Sequence, residues 1–323
     1  VGALAIALGD PAGIGPEIAI KTALSPAVRG FCRPVLVGDP QAIALQIGTA
    51  APGATVREVA SAAEAAPREG VVDLLPVRSF GPGELVLGGV AAANGRAALE
   101  ACARAIRAAR EGEVHAVLAA PMNQTSIAAA GIEFDGYPGF VAQQNGMARE
   151  DVFLMLCFDR TRIVHVTLHV SVAQALRLLT RERIVRAILS ADAALKRLGI
   201  AAPRIAVGGL NPHAGEGGLF GREDIEVTSP AIEDARAAGA TVEGPFGADT
   251  MFHKKGYDAF VVMLHDQGHI AAKMVAAHRT AGLAIGSPIL FSSVAHGSGH
   301  DIVGQGKADP TAMIEAAHRL FHG

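Results

Sequence analysis

Three histidines stand where apolar runs give way to polar or glycine-rich loops. His169 closes Ile163-Val164-His165-Val166-Thr167-Leu168-His169, His213 lies in Gly208-Gly209-Leu210-Asn211-Pro212-His213-Ala214-Gly215-Glu216, and His265 closes Phe260-Val261-Val262-Met263-Leu264-His265. In open α/β sheets the carboxyl ends of strands open onto a crevice, so imidazoles at three such ends can converge on one divalent metal and leave positions for a substrate. A histidine taken singly is more often a hydrogen-bonded structural residue; the shared placement of the three points to ligation. Asp266, Asp249 and Glu216 lie near them in sequence and can orient the rings as carboxylate acceptors. The imidazole set does not choose among zinc, iron, cobalt, nickel, manganese and magnesium. Lys273, in an Ala- and Met-rich segment, can exchange a proton beside a cation, or be a surface lysine with its stem on apolar neighbours. His296-Gly297-Ser298-Gly299-His300-Asp301-Ile302-Val303-Gly304-Gln305-Gly306-Lys307-Ala308-Asp309 offers backbone donors and a lysine to a nucleotide and is expected to open a final helix. His165 reads as packed, and His115, His253, His278, His318 and His322 read as surface residues.

These groups need a scaffold, and its elements are legible. Leu4 to Leu8 is an apolar run of strand length that passes through Gly9-Asp10-Pro11-Ala12-Gly13-Ile14-Gly15-Pro16-Glu17 into a helical stretch. The glycine spacing is not the dinucleotide fingerprint, and a tight turn packing helix on sheet explains it as well as ligand contact does. The same strand-then-helix pattern recurs at Pro34 to Ile47 and around Val114 to Ala120, which follows the Ala-rich helix Asn94 to Arg110. Such alternation predicts parallel sheets covered on both faces. Val152 to Phe158 and Arg162 to His169, separated by Asp159-Arg160-Thr161, predict an antiparallel pair. Helical spacing returns over Val172 to Leu179 and over Glu182 to Leu198, the second capped by Thr180 and ended at Gly199.

Composition narrows the class. The 323 residues are 50% hydrophobic and 18% charged, which predicts about two folded domains and excludes a disordered chain. A formal net charge of -3 gives no electrostatic case for nucleic acid or an anionic membrane. Cys32, Cys102 and Cys157 are odd in number and lie in apolar stretches, so they read as reduced core residues. No apolar run approaches a membrane span, and the expected setting is cytoplasmic.

As a set, Gly9 to Glu17, Asn211-Pro212-His213-Ala214-Gly215-Glu216, Ala248-Asp249-Thr250, His265-Asp266-Gln267-Gly268 and the His296 to Asp309 run resemble the 4-hydroxythreonine-4-phosphate dehydrogenase family over nearly the whole chain. The resemblance implies two α/β/α domains with an interdomain cleft, akin to isocitrate and isopropylmalate dehydrogenases: residues 1–125 with 290–323, and residues 126–289. It implies a homodimer with the active site at the dimer interface, and NAD as cofactor. It also implies a divalent metal on the three histidines that match His169, His213 and His265, and a substrate-contacting lysine that matches Lys273. Gly286, Gly297, Asp301 and Lys307 are the expected cofactor contacts, and Lys273, Asp266 and Asp249 the expected catalytic group.

The departures fall on positions that hold a phosphorylated substrate in that family. Gly136-Tyr137-Pro138 replaces Gly-His-Thr, Gln124 replaces a lysine, Phe291 an arginine and Gly282 an asparagine. A phosphate needs cationic or multiple N–H donors, so its recognition is expected to be lost. These positions resemble instead the terephthalate cis-dihydrodiol dehydrogenases (1,2-dihydroxy-3,5-cyclohexadiene-1,4-dicarboxylate dehydrogenases), which are also similar at Ala130 to Phe134, Val152 to Leu156, Arg162 to His169 and Met263 to Ile270. Tyr137, Pro138 and Phe291 are expected to wall a planar diene dicarboxylate, and His269 to donate to a carboxylate. The implied reaction is metal-dependent, NAD-linked oxidative decarboxylation of the diol to protocatechuate. The alternatives are 4-hydroxythreonine-4-phosphate or a related hydroxy-acid phosphate as substrate, a metal-dependent hydrolase, acyl transfer to phosphate, and a catalytically silent binding protein.

Overall fold

The computed structural model describes residues 2–276, 280–294 and 296–322; His278 lies outside them. In chain order the strands are β1 (Ala3–Ala7), β2 (Arg33–Gly38), β3 (Thr55–Glu58), β4 (Val71–Pro76), β5 (Ala116–Ala119), β6 (Phe153–Phe158), β7 (Thr161–His165), β8 (Arg204–Gly208), β9 (Thr241–Phe246), β10 (Ala259–Val262), β11 (Ala281–Ile285) and β12 (Leu290–Val294). The helices are α1 (Gly15–Leu24), α2 (Pro26–Phe31), α3 (Pro40–Ala50), α4 (Ala92–Arg110), α5 (Gln124–Ala129), α6 (Tyr137–Gln144), α7 (Val172–Leu178), α8 (Arg181–Arg197), α9 (Ser229–Ala237), α10 (His265–Ala276) and α11 (Thr311–His322). Among the described residues no helix is long and apolar enough to cross a membrane.

The chain folds as two compact units, residues 2–140 with 288–322 and residues 141–287. The first unit therefore runs on past the border at 125 read from the sequence. Helix α5 belongs to it because α5 packs on α4 so closely that a Cβ on Gly95 would stand 2.3 Å from the Ser126 carbonyl oxygen.

In the first unit the strand order is β3-β4-β2-β1-β5-β12, parallel throughout. All five residues of β1 are buried, the signature of a parallel strand covered on both faces. Helix α3 is capped by Asp39, whose carboxylate accepts from the Gln41 N–H at 2.8 Å. The last glycine-rich run leads through turns rather than directly into a helix; α11 begins only at Thr311, where Asp309 accepts from the Thr311 N–H.

In the second unit the order is β11-β6-β7-β10-β8-β9. Strands β7, β10, β8 and β9 are parallel, while β6 runs antiparallel to both β7 and β11, so the hairpin read from the sequence is present. Strand β7 ends at His165, four residues short of His169. Thr180 caps α8 by accepting from the Arg183 N–H at 3.2 Å, and Gly199 ends it in the left-handed region at φ 92°. Leu156, Phe158, Ile163, Phe260 and Val262 pack with Ala272 and Ala276 of α10 in one buried cluster. Side-chain alternation puts His165 on the same face of β7 as Ile163, toward α10.

Candidate active site

The site is assembled at the carboxyl ends of three neighbouring parallel strands. His169 follows β7, His265 follows β10 and His213 follows β8, and β10 lies between the other two. Thr167 ties the first end down: its N–H and its hydroxyl both donate to the Met263 carbonyl, at 3.2 and 2.7 Å. Gln267 ties the second and third together. Its Oε1 accepts from the N–H groups of Met263 and Leu264, and its Nε2 donates 3.1 Å to the Gly209 carbonyl. The loop carrying His213 is gathered by buried Asp224, which accepts from the N–H groups of Leu210 and Asn211 and from the Thr228 hydroxyl. Neither Gln267 nor Asp224 stands out by type or spacing; their function depends on which loops the fold brings to them.

From His213 to Gly217 every residue has positive φ, with His213 at 52°, Ala214 at 53° and Glu216 at 44°. Non-glycine residues there cost on the order of 1–3 kcal/mol each and persist only where the surroundings impose them.

The rings have definite partners. His213 Nδ1 donates to Glu216 at 3.1 Å, and His265 Nδ1 donates to Asp266 Oδ1 at 2.6 Å. Each bond fixes the proton on Nδ1 of the neutral ring and leaves a lone pair on Nε2, the arrangement by which carboxylates prepare histidines for metals. The donor chemistry and the common sheet edge therefore fit a divalent cation. The convergence is met only in part within one chain. The rings of His169 and His265 are 5.5 Å apart, whereas His213 packs against Phe220, and among the described residues no group of three His, Cys, Asp or Glu side chains is arranged to hold an ion. Asp249 is exposed in the loop after β9, where a Cβ on Gly247 would stand 2.7 Å from its Oδ1.

A second histidine pair lies beside this edge. His265 and His269, one turn apart on α10, stack at 3.8 Å with planes 9° apart. His269 Nδ1 is 3.1 Å from Nε2 of His165, which is 1% exposed. Burial, then the neighbouring His269, holds His165 down to about 3, and burial, then His265, holds His269 down to about 4. Both rings are neutral at physiological pH. Lys273 is exposed one further turn along α10, near enough to His269 to add to that lowering.

In the first unit, Tyr137 and Phe291 pack at 5.1 Å between ring centroids. The Tyr137 hydroxyl donates to the Ala120 carbonyl at 2.6 Å, and Phe291 is 1% exposed. Phe291 is thus core beneath Tyr137 rather than an open wall. Pro138 occupies the first turn of α6 beside Tyr137. Of the expected cofactor contacts, Gly297, Asp301 and Lys307 are exposed in the first unit, and Gly297 has open space where a side chain would stand. Gly286 lies in the second unit at φ 96°, where a Cβ would fall 2.2 Å from the Asp151 carbonyl oxygen; it is fixed by backbone packing. Asp10 and His300, missed from the sequence, pair at 2.7 Å.

Comparison with known proteins places this geometry among relatives. The profile of pyridoxal phosphate biosynthetic protein PdxA matches residues 30–319. A Symbiobacterium thermophilum protein with a provisional D-threonate 4-phosphate dehydrogenase name is 41% identical over 316 residues, 97% of this chain and 94% of the relative. A Comamonas 1,2-dihydroxy-3,5-cyclohexadiene-1,4-dicarboxylate dehydrogenase is 41% identical over 313 residues, 96% of this chain and 94% of the relative. The crystal structure of a terephthalate 1,2-cis-dihydrodiol dehydrogenase from Burkholderia xenovorans LB400 is 44% identical and superposes with a TM-score of 0.76, covering 99% of this chain and 98% of that one.

Proposed function

The chain belongs to the PdxA family of dehydrogenases, and from that premise we propose that it oxidises terephthalate cis-dihydrodiol to protocatechuate, carbon dioxide and NADH. The observation that carries this reading is the Tyr137–Phe291 pair. At two positions where the phosphate-using branch has donors, this chain has an aromatic core whose one hydroxyl is spent on the Ala120 carbonyl. A phosphate dianion finds neither cation nor free donor in that pair, whereas a planar diene meets a flat apolar surface at Tyr137 and Pro138.

His169, His213 and His265 would hold the divalent ion, with Glu216 and Asp266 fixing the tautomers of the last two. We propose that the three-histidine set is completed in a homodimer, because among the described residues of one chain no three such side chains are arranged to hold an ion, while the His169 and His265 rings lie 5.5 Å apart. When bound, the ion supplies Lewis-acid polarisation of the diol oxygens, and the nicotinamide supplies the hydride acceptor. Gly297, Asp301 and Lys307 would contact the nucleotide. Lys273, exposed on α10, exchanges the alcohol proton with solvent. The alcohol is oxidised to a ketone β to a carboxylate, that carboxylate leaves as carbon dioxide, and aromatisation drives the sequence forward.

The test is nicotinamide reduction with terephthalate cis-dihydrodiol and with 4-hydroxythreonine-4-phosphate side by side, before and after chelation and metal add-back. Turnover of the diol, lost on chelation and restored by the metal, supports the reading. Turnover of the phosphate ester alone overturns it and favours the second reading, a hydroxy-acid phosphate dehydrogenase, which the Symbiobacterium relative supports at the same 41% identity.

A further inference from the structure

We infer that His318 and His322 form a second transition-metal site, built across the last turn of α11 from residues of the first unit alone. The proposed reaction uses neither ring. The two lie four residues apart, which puts both side chains on one face of the helix. Their rings stack at 4.4 Å between centroids with planes 24° apart, and both residues are exposed. Metal–nitrogen bonds of about 2.0–2.1 Å set two ligating nitrogens about 3 Å apart. Rings already this close reach that spread by turning about their Cβ–Cγ bonds, and their exposure leaves room for the turn.

Three features favour an ion at this place. Phe31, at the end of α2, stands edge-on to both imidazoles at 87°, 5.7 Å from His318 and 4.9 Å from His322. It braces the pair on one side of α11 before any ion arrives, so less freedom is lost on binding. The last turn of a helix leaves carbonyl groups without intrahelical partners and carries the negative end of the helix dipole, which favours a cation. Glu315 is exposed one turn before His318, whereas Arg319 is buried on the core side. The exposed face therefore offers the ion a carboxylate rather than the guanidinium.

The ligand set decides which ion. Two imidazoles without a cage of oxygens suit divalent copper, then nickel and zinc, and not magnesium or calcium, which ask for oxygen ligands. Among the described residues no third His, Cys, Asp or Glu joins the pair to hold an ion, so water completes the coordination. Because the pair is assembled by the fold, an ion bound there stabilises the folded chain.

The experiment compares the full chain, freed of metal by dialysis against a chelator, with His318→Asn and His322→Asn. In calorimetric titrations with divalent nickel the parent should bind one equivalent more per chain than either variant, and excess magnesium should not displace it. Nickel should also raise the melting temperature of the parent more than that of either variant. Equal stoichiometry in all three proteins overturns the inference. Loss in one variant alone also overturns it, because the ion is then held by a single imidazole. A second arm needs no variant and stands even if the substituted chains do not fold. In crystals of the parent soaked with nickel, anomalous density should lie between the two rings; its absence, or a peak on one ring only, overturns the site.

Discussion

At the level of single residues, the carboxylate partners of His213 and His265 separate ligand chemistry from packing. Glu216→Gln and Asp266→Asn keep the size of each group but weaken the hold on the ring proton. Each should lower metal affinity about 10- to 100-fold, read as metal content after dialysis against a weak chelator. The cysteines make the opposite point. Cys32 is fully buried and burial pushes its thiol up to about 12; Cys102 is raised by the same cause. A thiol reagent should therefore label neither in the folded protein and both after denaturation. Their burial was legible from their apolar neighbours. The His165–His269 bond was not, because its partners are 104 residues apart and meet only when β7 packs under α10.

Among the elements, the turn after β8 gathers three left-handed non-glycine residues, His213, Ala214 and Glu216. Ala214→Gly removes a Cβ from a residue at φ 53° and should stabilise the protein by about 1 kcal/mol, measured by urea denaturation. Asp224→Ala should do the reverse, since it strips the acceptor from the Leu210 and Asn211 N–H groups at about 1–3 kcal/mol for each left unpaired. On β12, Phe291→Ala should cost about 3–5 kcal/mol because the ring is core rather than rim. Strand and helix order was readable from period and turn residues. The turn's backbone was not, because Pro-His-Ala-Gly-Glu carries a single glycine and nothing local demands φ above zero at the histidine. Asp224 and Gln267 impose the loop's path from outside it.

For the molecule as a whole, His165 links protonation to folding. Its folded pKa lies near 3, below the ordinary value near 6.5, so the unfolded chain binds a proton that the folded one excludes. The stability it contributes is complete above about pH 6.5 and is lost as pH falls from there toward about 3. The denaturation midpoint should drop between about pH 6.5 and pH 4, and less steeply in His165→Leu. The sequence by itself determined the alternating α/β architecture, the antiparallel pair in the second unit, the family, and the placement of His169, His213 and His265 after buried runs. Those features follow from local period, turn chemistry and motif, which act over a few residues. Tertiary structure alone decided that Phe291 is core, that among the described residues of one chain His169, His213 and His265 do not form a three-ligand group, and that His269 on α10 meets buried His165 of β7. Such outcomes depend on which distant groups share a face, and hydrogen-bond direction is fixed only once every partner is in place.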